Sequence, residues 1–225
     1  MMNRENMKKL LIYSCILNKS RTLEVNNMCK LLEKLKGKSA YQLLEEYNMN
    51  DNMPINLDEL VEKIGIKVYE TDFTKMVGIF NGVDKTEDEK KKILSNIWGM
   101  LITVNDQIAI FLKPGLKQNG KRFTIAHEIA HCCLNDGDIN DIHIEFRHTL
   151  YSSDTKNIKE IAANTFAGEL LMPENIVKKY CADFIVPEIN AVAKAFKVSV
   201  PVASERLNYL GITYINMENS NNCNK

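Results

Sequence analysis

His127-Glu128-Ile129-Ala130-His131 constrains what this chain can fold into more than any other stretch. On a helix, residues four apart share a face, so both imidazoles can reach one tetrahedral zinc ion. Glu128, one position from the first imidazole, then lies beside the metal and can take a proton from water that the metal has made acidic. Phe123, Ala126, Ile129, Ala130 and Cys133 add the apolar stripe of a buried helix, expected from about Gln118 through Leu134. Two histidines satisfied separately on an amphipathic helix are the plain alternative, and the intervening Glu128 weighs against it.

Such a helix needs a core around it. The 225 residues, 45% hydrophobic and 26% charged, are enough to supply one and have the composition of an ordinary globular protein, but they leave little room for two large domains. Lysine plus arginine balance aspartate plus glutamate at 29 each, which removes the strong electrostatic footprint of a dedicated nucleic-acid binder. The six cysteines, Cys15, Cys29, Cys132, Cys133, Cys181 and Cys223, show no C-x-x-C spacing, and neighbours such as Cys132 and Cys133 point about 100° apart on a helix. Reduced thiols in a cytoplasmic protein are the expectation. Arg4, Lys8 and Lys9 precede the apolar run from Leu10 to Leu17, but that run holds Tyr13 and Ser14 and falls far below the ~20 apolar residues of a membrane span.

Along the chain, Val25, Met28, Leu31, Leu32 and Leu35 stop at Gly37, and Ala40, Leu43, Leu44 and Tyr47 repeat the helical spacing after Ser39, a helix-capping residue. Asn-rich residues 48–52 before Pro54 place a boundary near residue 50, so residues 1–50 read as an N-terminal helical extension and 51–182 as the main domain. There Asn56 caps a stripe of Leu57, Leu60, Val61 and Ile64 that ends at Gly65 and feeds the strand from Ile66 to Glu70. Further strands are expected over 77–80, 100–104 and 107–112, the last two joined across Asn105-Asp106, making a small antiparallel sheet packed on the motif helix. The charged run from Asp84 to Lys92 reads as a solvated loop or exposed helical face. After a polar connection over 135–154, a helix from about Thr155 stops before Pro173, and shorter helices follow over 173–181, 187–196 and 199–210. Residues 183–215 form a C-terminal helical subdomain and 216–225 a disordered tail, for an α+β chain overall.

A hydrolytic zinc site needs a third protein ligand and an open fourth position. Leu134 and Gly137 stand where the extended metzincin pattern has its glycine and histidine, which excludes that class. Asp136, Asp138, Asp141, His143, Glu145, His148 and Glu160 remain as candidates. Glu160 is preferred because it lies on the next helix, with Ala163, Asn164, Ala167 and Leu171 along its face. Small residues there allow two helices to pack closely, and Asn164 is placed to hydrogen-bond a ligand. For stabilising a developing oxyanion, Arg122, His143, His148 and Tyr151 stay open.

Arg122 through His131, followed by Glu160-Ile161-Ala162-Ala163-Asn164-Thr165-Phe166-Ala167-Gly168-Glu169-Leu170-Leu171-Met172-Pro173, resembles the paired signatures of the ImmA/IrrE-family metallopeptidases. The resemblance extends over roughly residues 55–212. It implies a zincin-like fold, His127, His131 and Glu160 as zinc ligands, Glu128 as general base, and cytoplasmic cleavage of a helix-turn-helix repressor in bacteria or mobile elements. Ala130 stands where the family often has Gly, and Cys132, Cys133, Leu134 and Asn135 replace an aliphatic pair and a further His.

A competing expectation comes from residues 193–207, which have the rhythm of a helix-turn-helix and would make the chain a DNA-binding or adaptor regulator with a structural or vestigial metal site. Its second helix offers only Glu205, Arg206 and Asn208 to bases or phosphates, with Pro201 in its first turn, so a packing role is favoured and direct DNA binding is not. Thiol sensing through Cys132 and Cys133 is less favoured still, because buried cysteines on a helix are usually inert.

Overall fold

The computed structural model describes residues 30–75, 86–104, 107–134, 143–144 and 158–217. The described residues form nine helices and a four-stranded sheet, an α+β fold. In chain order the elements are α1 (Lys30–Leu35), α2 (Ala40–Glu46), α3 (Leu57–Ile64), β1 (Lys67–Glu70), α4 (Glu87–Ser95), β2 (Gly99–Val104), β3 (Gln107–Leu112), α5 (Gln118–Leu134), β4 (His143–Ile144), α6 (Ile158–Leu171), α7 (Glu174–Cys181), α8 (Ile189–Phe196) and α9 (Val200–Tyr209). Among these residues no helix is long and apolar enough to cross a membrane. The expected strand over 77–80, the turn at Asn105-Asp106, the first 29 residues and the end of the tail lie outside the described residues.

Local chemistry sets most of the boundaries. Ser39 closes a capping box with Gln42: its Oγ accepts from the Gln42 amide at 3.2 Å while its own amide donates to Gln42 Oε1 at 2.9 Å. Asn56 caps α3, whose far end is Gly65 at φ 95°, a left-handed conformation that suits glycine and turns the chain straight into β1. From Glu87 to Lys92 the charged run lies in α4, the exposed helical face of the two options.

The sheet has the order β1-β3-β2-β4. β2 and β3 form the expected antiparallel hairpin, but β1 pairs with β3 in parallel, so the sheet is mixed and not antiparallel throughout. The reason is the connection: β1 leads through a segment containing α4 before the hairpin begins, and a crossover of that length lets the third strand return beside the first in the same direction. β4, within the stretch expected to be irregular, pairs antiparallel with β2.

One face of the hairpin, with Leu101, Ile108, Ile110 and Leu112, joins the same hydrophobic core as α5 and α6. Leu32 and Leu35 of α1 and Ala40, Leu43 and Leu44 of α2 are buried in that core too, and the Gly37 amide between the two helices donates to the Cys133 carbonyl in the last turn of α5 at 2.7 Å. The C-terminal helices grip the other end of the central pair. Asn119, in the first turn of α5, donates from Nδ2 to the Val198 carbonyl at 2.8 Å, and Arg206 of α9 donates from Nε to the Met172 carbonyl just beyond α6 at 3.0 Å. Arg206 Nη1 also meets Glu169 at 3.3 Å. Residues 187–189 are tied to Ile215 by two backbone hydrogen bonds.

Arg206→Met should therefore lower the unfolding free energy by about 1–3 kcal/mol, because the Met172 carbonyl loses its buried donor. Urea unfolding followed by circular dichroism reads this directly; an unchanged midpoint would show that the brace contributes nothing.

Candidate metal centre

α5 is buried almost all round. From Arg122 to Cys133 every residue is buried, including the polar Thr124, His127, Glu128 and His131. Enclosing polar side chains in this way is costly unless they are paired. Ala126, Ala130, Ala163 and Ala167 are all buried on α5 and α6, and their small size lets the two backbones come close.

Close approach brings three of the anticipated side chains together. One donor atom from each of His127, His131 and Glu160 lies within 4.8 Å of the others. His127 Nε2 is 2.8 Å from His131 Nε2 and 3.3 Å from Glu160 Oε2, and His131 Nε2 is 3.6 Å from Glu160 Oε1. On its other side the His127 ring meets Asn164, with Nδ1 2.9 Å from Oδ1. Since Oδ1 only accepts, Nδ1 donates to it, and Nε2 is the ring nitrogen that faces His131 and Glu160. Asn164, one turn beyond Glu160, thus meets the His127 ring as its position suggested.

The donor set suits a divalent metal. Two imidazoles and a carboxylate converge where the histidines are fully buried, and a cation between them meets the facing ring nitrogens and neutralises the carboxylate at once. Of the other candidates for a third ligand, Asp136, Asp138, Asp141, Glu145 and His148 lie outside the described residues, and His143 is described only as a backbone member of β4. Arg122 is directed elsewhere than the donor cluster: its Nη2 donates to the Ile55 carbonyl at 2.9 Å, tying α5 to the segment before α3. Tyr151 lies outside the described residues.

A residue that sequence reasoning passed over supports Glu128. A Cβ added to Gly99, at the start of β2, would sit 2.3 Å from Thr124 Cγ2 and 2.7 Å from Glu128 Oε1. The sheet backbone therefore presses directly against the face of α5 that carries Glu128, which only glycine permits. The signal was thin: a single glycine between Trp98 and an apolar run, with nothing nearby to mark it as a contact point.

Among the described residues, Cys132, Cys133 and Cys181 are buried and in no disulfide, and burial pushes the Cys133 thiol up to about 12, away from the reactive thiolate.

Fold and centre together define a metallopeptidase-type protein. The IrrE N-terminal-like domain of the M78 peptidases matches residues 61–208, and the chain belongs to that family. Comparison with curated proteins gives no match. Among solved structures, a Mycobacterium tuberculosis transcriptional regulator is similar with a TM-score of 0.45 and 15% identity, over 88% of this chain and 50% of that one. This chain thus spans about half the length of that regulator.

Two outcomes follow from the packing. Gly99→Ala should destabilise the protein by about 1–3 kcal/mol through overpacking, and adding Thr124→Ser, which removes the nearer methyl, should restore part of the loss in a thermal melt. An equally stable Gly99→Ala protein would show that β2 does not press on α5. In native protein at pH 8, Cys133 should escape iodoacetamide while reacting fully in urea, as mapped by peptide mass.

Proposed function

We propose that the chain is a zinc-dependent endopeptidase that hydrolyses a peptide bond in a helix-turn-helix repressor and so relieves repression, acting in the cytoplasm of a bacterium or on behalf of a mobile element. The convergence of His127, His131 and Glu160 beside a buried Glu128 carries this reading, together with membership of the M78 family. His127, His131 and Glu160 would hold the metal. A zinc ion bound there supplies Lewis acidity, polarising a substrate carbonyl and making water easier to deprotonate.

The rest is work for the chain's own groups. Glu128 is adjacent to His127 in sequence and walled by Gly99, so its carboxylate is held at the metal helix with little freedom to swing away. It accepts the proton of the attacking water and returns it to the leaving amine. Asn164 keeps the His127 ring in one tautomer and one orientation, so the coordinating nitrogen need not reorganise. The helix-turn-helix-like pair α8–α9 is not assigned to DNA. Arg206 is the sole arginine or lysine within α9, and it is buried against Met172 and Glu169.

Protein purified without added metal should hold about one zinc per chain by mass spectrometry, and His131→Ala should lose it. Glu128→Gln should keep the zinc and leave a cleavable repressor intact. A zinc-free wild type that takes up none on addition would defeat the reading, as would a Glu128→Gln protein that cuts at the wild-type rate.

A further inference from the structure

Thr124 stands one helical turn before Glu128 on α5, and residues at that spacing share a face. The sheet marks the same neighbourhood. A Cβ built on Gly99 would lie 2.3 Å from Thr124 Cγ2 and 2.7 Å from Glu128 Oε1, so both side chains reach one point beneath β2. Thr124 is 1% exposed and Glu128 is fully buried, which leaves their polar atoms to be served from within the protein. Among the described residues the Thr124 hydroxyl has no such service: its Oγ1 is enclosed and meets no hydrogen-bond partner. A threonine inside a helix commonly bonds the carbonyl four residues back, here that of Gly120, and that bond is absent too.

An enclosed hydroxyl without a partner forfeits its hydration, a cost that an apolar side chain of the same shape does not bear. Packing against Gly99 uses only the Thr124 methyl. The hydroxyl is therefore a donor in reserve, and the carboxylate on its own helical face is the acceptor that lies with it under Gly99. We propose that Thr124 is a positioning residue for Glu128: its hydroxyl donates to the carboxylate and fixes the direction in which that carboxylate meets the attacking water. The proposal rests on the peptidase reading, in which Glu128 is the base. The last torsion of a glutamate side chain is broad, so Glu128 can bring an oxygen onto the hydroxyl while its helix stays in place. Threonine suits the task, since its branched Cβ is stiff on a helix and an O–H···O⁻ bond is stronger than one between neutral groups. Gly99 limits how far the Glu128 side chain can shift, and the hydroxyl limits how its carboxylate can turn.

The test uses the full chain with carbon-13 in the side-chain carboxyl of glutamate, followed by NMR with zinc added, and Glu128→Gln identifies the Glu128 signal by its loss. Thr124→Val keeps the shape and deletes the hydroxyl. It should shift that signal, as should Thr124→Ala, the second variant without a hydroxyl, whereas Thr124→Ser should bring the signal back toward its wild-type position. Cleavage is measured on whichever of a set of quenched fluorescent octapeptides the wild type cuts fastest. There Thr124→Val should lower kcat by about 10–100-fold with KM and zinc content unchanged, and Thr124→Ser should recover most of the rate. A Glu128 signal indifferent to both Thr124→Val and Thr124→Ala overturns the proposal, whatever the rates do. So does a shifted signal with kcat unchanged, because the bond would then position nothing. A shift that Thr124→Ser reverses, in a wild type that cuts no peptide, upholds the bond and counts against the peptidase reading instead.

Discussion

The contact between α5 and α6 is the constraint on which the structure depends. Three ionisable side chains, His127, His131 and Glu160, have to meet from two helices whose ends, Leu134 and Ile158, are separated along the chain by residues 135–157, and they can do so only if the backbones approach closely. Buried alanines at 126, 130, 163 and 167 permit the approach, and the His127–Asn164 hydrogen bond sets its register. Enclosing polar groups in this way is costly unless each is paired. The rest of the fold can be understood as what holds that arrangement in place: the β2–β3 hairpin along one side, α1 against α5 and α2 against α6, and α8–α9 across the opposite end.

Much of this was legible in the sequence because it is local. The H-E-x-x-H spacing, the small residues following Glu160, the caps at Ser39 and Asn56 and the glycine at 65 each express a rule that spans a few residues. Helix α5 runs over the residues that its stripe suggested, and Asn164 meets His127 as its spacing allowed. What could not be read depends on distant segments. Whether β1 runs parallel to β3 depends on where the chain goes between residues 70 and 99, and no short pattern encodes that. Gly99 matters only because α5 lies across it. Arg206 was one of only three side chains that the competing DNA-binding expectation could offer to bases or phosphates, and its actual partners, Met172 and Glu169, lie more than 30 residues away in the chain. A helix pair spaced like a DNA reader here serves as an internal brace.

That brace also explains why the match to the IrrE N-terminal-like domain runs on to residue 208 and does not stop at the end of α6. Asn119 and Arg206 bind the C-terminal pair to both central helices, at the start of one and just past the end of the other. Hydrogen bonds therefore join α5 and α6 to the C-terminal pair, with the donor cluster toward one end and the brace at the other.

The bond from Gly37 to the Cys133 carbonyl joins residues 96 positions apart, and it bears on how the chain is made as well as how it is held. At roughly 5–20 residues per second of synthesis, the first two helices leave the ribosome about 5–20 s before the end of α5 that latches them. Through that interval Leu32, Leu35, Leu43 and Leu44 have no completed core to enter. The newborn N-terminal segment is thus a temporarily sticky, unlatched stretch, and its safe passage depends on the timing of translation and on whatever shields apolar surface in the cell.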